Sequence, residues 1–158
     1  MTLTVIGVGN RFAGDDGVGL VLAEALAEAP PCPGYSVMPR EQADALTLAH
    51  DLLELPGPAL IVDCADMGVG EGEWRCLSLP EELAAPSPSL STHGLGLSEA
   101  LALARALGYP HAVHLFGVQP YSLAMRSGLT RDMAARLPEI LTGLRASVVR
   151  IVGASVPS

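Results

Sequence analysis

The sequence predicts a doubly wound α/β sandwich, a mainly parallel sheet with helices packed on both faces. Two observations carry this. Short apolar runs alternate with longer stretches of helical periodicity, and the runs show little polar alternation, as expected of strands covered on both sides. Breakers also fall between them: Pro30-Pro31, Pro56-Gly57-Pro58, Gly70 with Gly72, and Pro86 with Pro88. At 158 residues, nearly half of them apolar, the chain is expected to form one domain, 1–158, with a full hydrophobic core.

The elements follow in order. A first strand is predicted over 3–7, leading through a glycine-rich corner into an amphipathic helix over 18–29. A strand over 35–38 and a helix over 44–54 come next, then a strand over 59–63 that ends on Asp63. The strand over 73–79 follows through a short glycine-rich link that cannot hold a crossover helix, so it is expected to run antiparallel at an edge. A helix over 97–108, a strand over 112–118 and a helix over 130–152 complete the pattern. Thr130 is the expected N-cap of the last helix, with Pro138 kinking it or opening a second segment. Such an alternation places the helices on both faces of the sheet.

Composition excludes several classes of function. A formal net charge of −8 argues against a nucleic-acid partner, because phosphate binding needs clustered basic residues. No run approaches the roughly 18 uninterrupted apolar residues of a membrane span; the richest stretch, 95–109, is broken by Glu99 and Arg105. No basic region with a cleavage site opens the chain, so no secretory signal is expected. Cys32, Cys64 and Cys76 form no CxxC pair, which fits a reducing cytoplasm better than a disulfide scaffold or structural zinc. Cys64 beside Asp63 invites a nucleophile reading, but neighbouring strand residues point to opposite faces. A buried, inert thiol is expected instead.

The corner Gly7-Val-Gly-Asn-Arg-Phe-Ala-Gly-Asp-Asp-Gly-Val-Gly19 carries the strongest chemical signal. Strand-to-helix corners of this kind usually cradle phosphate. Here Asp15 and Asp16 stand where the phosphate would sit, and like charges in close contact repel by about 1 kcal/mol or more each. The corner suits a cation, with the helix dipole favouring ionised acids. Functional crevices of open α/β sheets lie beyond the carboxyl ends of the strands. Asp16 follows the first strand, Asp63 closes the apolar run Leu60-Ile-Val-Asp63 with Asp66 behind it, and His93 lies in Ser91-Thr-His-Gly94 before the third helix. Two carboxylates and an imidazole form a three-ligand set with open positions, suited to nickel, zinc or manganese. Each also admits a plainer role: Asp16 as a helix cap, Asp63 holding a turn, His93 satisfied by backbone. Their convergence at one rim favours the site. Asp15 either supports these ligands or stabilises the start of the helix, the second being favoured. His111 and His114 fall on opposite faces of a strand, His50 faces solvent, and neither HExxH nor Gly-x-Ser-x-Gly is present.

At these residues the chain resembles the nickel–iron hydrogenase maturation proteases. The resemblance rests on the corner ending in Asp15-Asp16-Gly-x-Gly19, on Ile61-Val-Asp63-Cys-Ala-Asp66-Met-Gly68 followed by Gly72-Glu73, and on Ser91-Thr-His93. Phe116-Gly-Val-Gln-Pro120 and Ser127-Gly-Leu-Thr130 also match. It implies a three-layer sandwich with a five-stranded, mostly parallel twisted sheet. It further implies a cytoplasmic endopeptidase, a monomer, that removes the C-terminal extension of a hydrogenase large subunit once nickel is inserted. Asp16, Asp63 and His93 then form the metal-binding trio. The metal is nickel supplied by the substrate, for which other divalent ions can substitute, and the partner is the nickel-loaded large-subunit precursor, bound transiently. One departure stands out: where many members carry an Asp-Gly-Gly-Thr-like segment, this chain has Met38-Pro-Arg-Glu-Gln-Ala-Asp44, which leaves the cognate hydrogenase open. Two other classes compete with this reading, a non-proteolytic nickel-reading chaperone of the large subunit and a nucleotide-binding α/β domain. The acid pair speaks against the second.

Overall fold

A computed structural model describes residues 2–28, 34–79 and 96–154. The predicted site residue His93, together with Cys32, lies outside them. Five strands, β1 (Leu3–Gly9), β2 (Tyr35–Glu41), β3 (Ala59–Cys64), β4 (Trp74–Leu79) and β5 (Val113–Val118), form one sheet in the order β2-β1-β3-β5-β4. β1 pairs in parallel with β2 and β3, β3 in parallel with β5, and β4 runs antiparallel to β5 at the edge as expected. Helices α1 (Val18–Glu28), α2 (Ala45–Leu53), α3 (Leu97–Ala106) and α4 (Arg131–Ala154) complete the three-layer sandwich.

The two faces of the sheet build two cores, and strand alternation sorts the residues between them. In β3, Ala59 and Ile61 join Leu48 and Leu52 of α2 and Leu101 of α3. Their neighbours Leu60, Val62 and Cys64 turn the other way, onto Leu22 and Leu26 of α1 and Ile140, Leu144 and Val148 of α4. All seven residues of β1 and all six of β3 are buried, which explains their unbroken apolar runs. Each large aliphatic side chain so buried contributes roughly 1.5–3 kcal/mol.

Two strands run further than expected by two residues or more, and the first, β1, reaches Gly9 instead of ending at 7. β2 runs through Pro39 to Glu41 instead of stopping at 38, because an edge strand tolerates a residue without an N–H. α4 continues through Pro138 as one helix, so no second segment opens there. Its cap is as expected, the Thr130 hydroxyl accepting from the Met133 N–H at 3.2 Å. At the start of α2 the Asp44 carboxylate accepts from the Thr47 N–H at 2.7 Å.

From β1 the chain crosses to β2 on one side and then to β3 on the other. The carboxyl ends of β1 and β3 are therefore the switch point of the sheet, where such folds bind their ligands.

Candidate active site

The route from β1 to α1 is set by two glycines. A Cβ on Gly9 would overlap the carbonyl oxygen of Asp16, and one on Gly19 would overlap the carbonyl oxygens of Val8 and Val62. Without side chains, the corner folds back on the end of β1 and α1 starts flush against β1 and β3. A 3-10 turn, Gly14–Gly17, bridges the strand and the helix, and carries Asp15 and Asp16 into full burial. The Asn10 N–H donates to the Asp16 carbonyl at 3.3 Å, closing the corner.

Asp63 is the last but one residue of β3 and shares the face of Ile61. It is 6% exposed, and its Oδ1 accepts from the Cys64 N–H at 2.8 Å. Burial first, and then the charge of Asp16, push its carboxyl well above the usual carboxylate range, against a smaller opposite pull from the Cys64 N–H. Asp16 and Asp63 are thus brought together as a buried acid pair at the switch point. Two carboxylates in this setting do one of two things. They share a proton, or they bind a cation that offsets both charges. Among the described residues no third His, Cys, Asp or Glu completes a metal-binding group with them. Beside Asp63 a small, open hollow lies between the starts of α2 and α3, with Val8, Asp44, Leu48, Gly96 and Leu97 in its lining.

Asp15 behaves differently from its neighbour. Its Oδ2 accepts from the N–H groups of Tyr121 at 2.8 Å and Ser122 at 3.1 Å, and its Oδ1 from the Thr130 N–H at 2.8 Å and hydroxyl at 3.0 Å. It was expected at the start of α1; it serves instead the start of α4 and the segment before it. That segment is drawn against the corner: Ala13 bridges Arg126, and the Arg126 N–H donates to the Phe12 carbonyl at 3.2 Å. Asp66 is likewise held in place, its Oδ1 accepting from Gln119 Nε2 at 3.1 Å, while Gln119 Oε1 accepts from the Met67 N–H at 2.7 Å. Sequence reasoning assigned Gln119 no role. Its position one residue past β5, inside a matching motif, was the available signal.

Cys64 is 3% exposed and faces the α1 and α4 layer, away from Asp63. Burial, with the carboxylates of Asp63 and Asp16 adding to it, raises its thiol far out of the nucleophilic range, as expected of an inert cysteine. The remaining described histidines stand apart from the acid pair. His50 is exposed on α2 beside Glu54, His111 packs edge-on against Tyr109, and His114 faces Ser78 of β4. The segment that departs from the family pattern contains Gln42, the one described non-glycine residue with positive φ, at 53°. Its side-chain amide lies 3.4 Å from Asn10 Oδ1.

Fold and site together define an α/β protein with a buried carboxylate pair at the switch point of its sheet. A family match to the hydrogenase maturation proteases (HycI) spans residues 43–145. The chain belongs to the hydrogenase maturation protease family and is an endopeptidase. It is 28% identical over 157 residues to the hydrogenase 2 maturation protease of Escherichia coli (strain K12), covering 96% of each chain. The hydrogenase 3 maturation protease of the same organism is 35% identical over 98 residues, 62% of this chain and 61% of that one. Among solved structures the E. coli hydrogenase maturating endopeptidase HybD aligns with a TM-score of 0.79 at 27% identity, covering 95% of this chain and 93% of that one.

Proposed function

We propose that the protein removes the C-terminal extension of a nickel–iron hydrogenase large subunit after nickel insertion, and that Asp16, Asp63 and His93 read the substrate's own nickel. The buried Asp16–Asp63 pair carries this reading. Two carboxylates without a cation between them are a poor resting arrangement, and a metal arriving with the substrate offsets the repulsion. Hard oxygen donors with one imidazole suit a divalent first-row ion, nickel among them. In sequence His93 stands three residues before Gly96, which lines the hollow beside Asp63. Three residues of chain reach at most about 11 Å.

In this reading the acid pair holds the loaded precursor with its scissile bond beside the hollow. A metal held by these residues would polarise the scissile carbonyl or activate a water, and one carboxylate would take that water's proton. The protein works as a monomer in the cytoplasm, where thiols such as those of Cys64 and Cys76 stay reduced.

The test is mass spectrometry of the large subunit's C-terminus after incubation with purified protein. Nickel-loaded precursor is expected to lose its extension and nickel-free precursor to keep it. Asp16→Asn and His93→Ala are expected to abolish cleavage while leaving the circular dichroism spectrum unchanged. Cleavage of nickel-free precursor at the same rate would overturn the nickel reading, and full activity in both variants would overturn the assigned residues.

A further inference from the structure

The segments 10–14 and 121–128 together carry an apolar surface that the acid pair does not explain. Of the seven large hydrophobic side chains exposed among the described residues, three stand here: Phe12, Leu123 and Met125. Phe12 is 55% exposed and Met125 83%. Backbone hydrogen bonds stitch the two segments into one ridge. Ala13 bridges Arg126 in parallel; the Arg126 N–H donates to the Phe12 carbonyl at 3.2 Å and the Gly14 N–H to the Arg126 carbonyl at 3.3 Å. That register sets Phe12 opposite Met125, on the same side of the bridge. The Gly128 N–H donates to the Arg11 carbonyl at 3.2 Å, and the Phe12 N–H to Asn10 Oδ1 at 2.9 Å. The buried Asp15 adds its own bonds to Tyr121, Ser122 and Thr130. Backbone so well fixed here presents an aromatic ring and a thioether to water, where they add nothing to either core. Apolar groups gathered on a rigid surface mark an interface, and Phe and Met are enriched at such faces.

We propose that this ridge docks the large-subunit precursor, gripping an apolar surface of it beside the bond that is cut. Position identifies the occupant. Phe12 stands four residues ahead of Asp16, a length of chain that reaches at most about 14 Å. A protein that presents a bond to the acid pair therefore lies over the ridge as well. Charge defines the face it must offer. Neither segment contains Asp or Glu, although the chain carries a net charge of −8. Arg11 is taken up by Glu24 and Glu41, whereas Arg126 is exposed at the edge of the apolar group. The complementary surface is apolar, with an acidic group at its rim to meet Arg126. The inference rests on the reading of Asp16 and Asp63 as the cleavage centre, and it adds the surface that holds the precursor there.

Steady-state cleavage of nickel-loaded precursor tests it, with the wild type, Phe12→Ser, Met125→Ser and Val149→Ser compared. Val149 is an exposed apolar residue of α4, 61% exposed and outside both segments, and serves as the control. Phe12→Ser and Met125→Ser are each expected to raise KM about tenfold. The fall in kcat/KM should lie in KM and not in kcat, the pattern of binding lost equally in ground and transition states. Val149→Ser is expected to match the wild type. Circular dichroism checks the fold of each variant, and Met125→Ser gives a second reading if Phe12→Ser folds poorly. KM values equal to the wild type's in the folded variants overturn the ridge. So does a wild type that sediments as a dimer and dissociates on Phe12→Ser, which makes a second copy of this chain the occupant. A wild type that cleaves no loaded precursor defeats the underlying assignment of the acid pair, and the ridge falls with it.

Discussion

Two adjacent aspartates in one turn have opposite duties, and the difference lies in what each carboxylate meets. Asp15 receives backbone N–H groups from Tyr121, Ser122 and Thr130 and fastens one segment to another. Asp15→Ala is expected to leave those donors without a partner and to lower stability by about 2–4 kcal/mol in urea denaturation. Faster amide exchange at Tyr121, Ser122 and Thr130 should accompany the loss. Asp63 faces another carboxylate in a buried setting, and its proton affinity is raised. The sign of the pH effect follows. The folded state binds this proton more tightly than the unfolded chain, whose carboxyl titrates near 3.9. Stability therefore falls as pH rises from about 4 through the higher folded value, and the penalty is complete above it. Asp63→Asn removes the penalty while keeping an oxygen for the Cys64 N–H. It is expected to raise the melting temperature by a few degrees at pH 7, to have little effect near pH 4, and to abolish cleavage. Equal melting temperatures of the two proteins at pH 7 would contradict the repulsion.

At the scale of elements, α1 is the part most tightly tied to the site. It rests on the carbonyls of β1 and β3 because Gly19 has no side chain. Gly19→Ala is expected to push α1 off the sheet, drag the Asp16 turn with it, and cost about 3 kcal/mol, with loss of cleavage larger than the stability loss explains. The same contrast between local and distant causes separates what could be read along the chain. β1 and β3 were legible because a strand buried on both faces shows itself as an apolar run. The end of β2 was not, since Pro39 is a strand breaker everywhere except at an edge, and edge position is a property of the sheet. Arg40 illustrates the gain. Within the extended strand it reaches Asp51 of α2 through two hydrogen bonds of 2.8 and 3.2 Å, a tie that a strand ending at 38 would not make.

At the scale of the molecule, the two cores share one sheet, so damage to either should be felt by both. Trp74, the one tryptophan, stacks on Phe116 with ring centroids 6.4 Å apart in the core under α1 and α4. Leu101 is buried in the opposite core, under α2 and α3. Leu101→Ala is expected to destabilise by about 2–5 kcal/mol and to shift the Trp74 fluorescence transition as far as the far-UV circular dichroism transition. Separate midpoints for the two probes would show that the layers unfold independently. The switch point belongs to this scale as well. It exists because β2 and β3 lie on opposite sides of β1, and it is where the acid pair stands.

The sequence by itself determined the order of elements, the antiparallel edge strand, the family, and the two acids, Asp16 and Asp63, that meet. Each of these is written in local terms, as periodicity, a short link, or an unusual charge at a glycine corner. Only the tertiary structure decided that Asp15 fastens a segment more than a hundred residues away, that Gln119 holds Asp66, and that the starts of α2 and α3 adjoin Asp63. These depend on which strand ends lie side by side, and a contact between groups distant along the chain leaves no periodic trace in it.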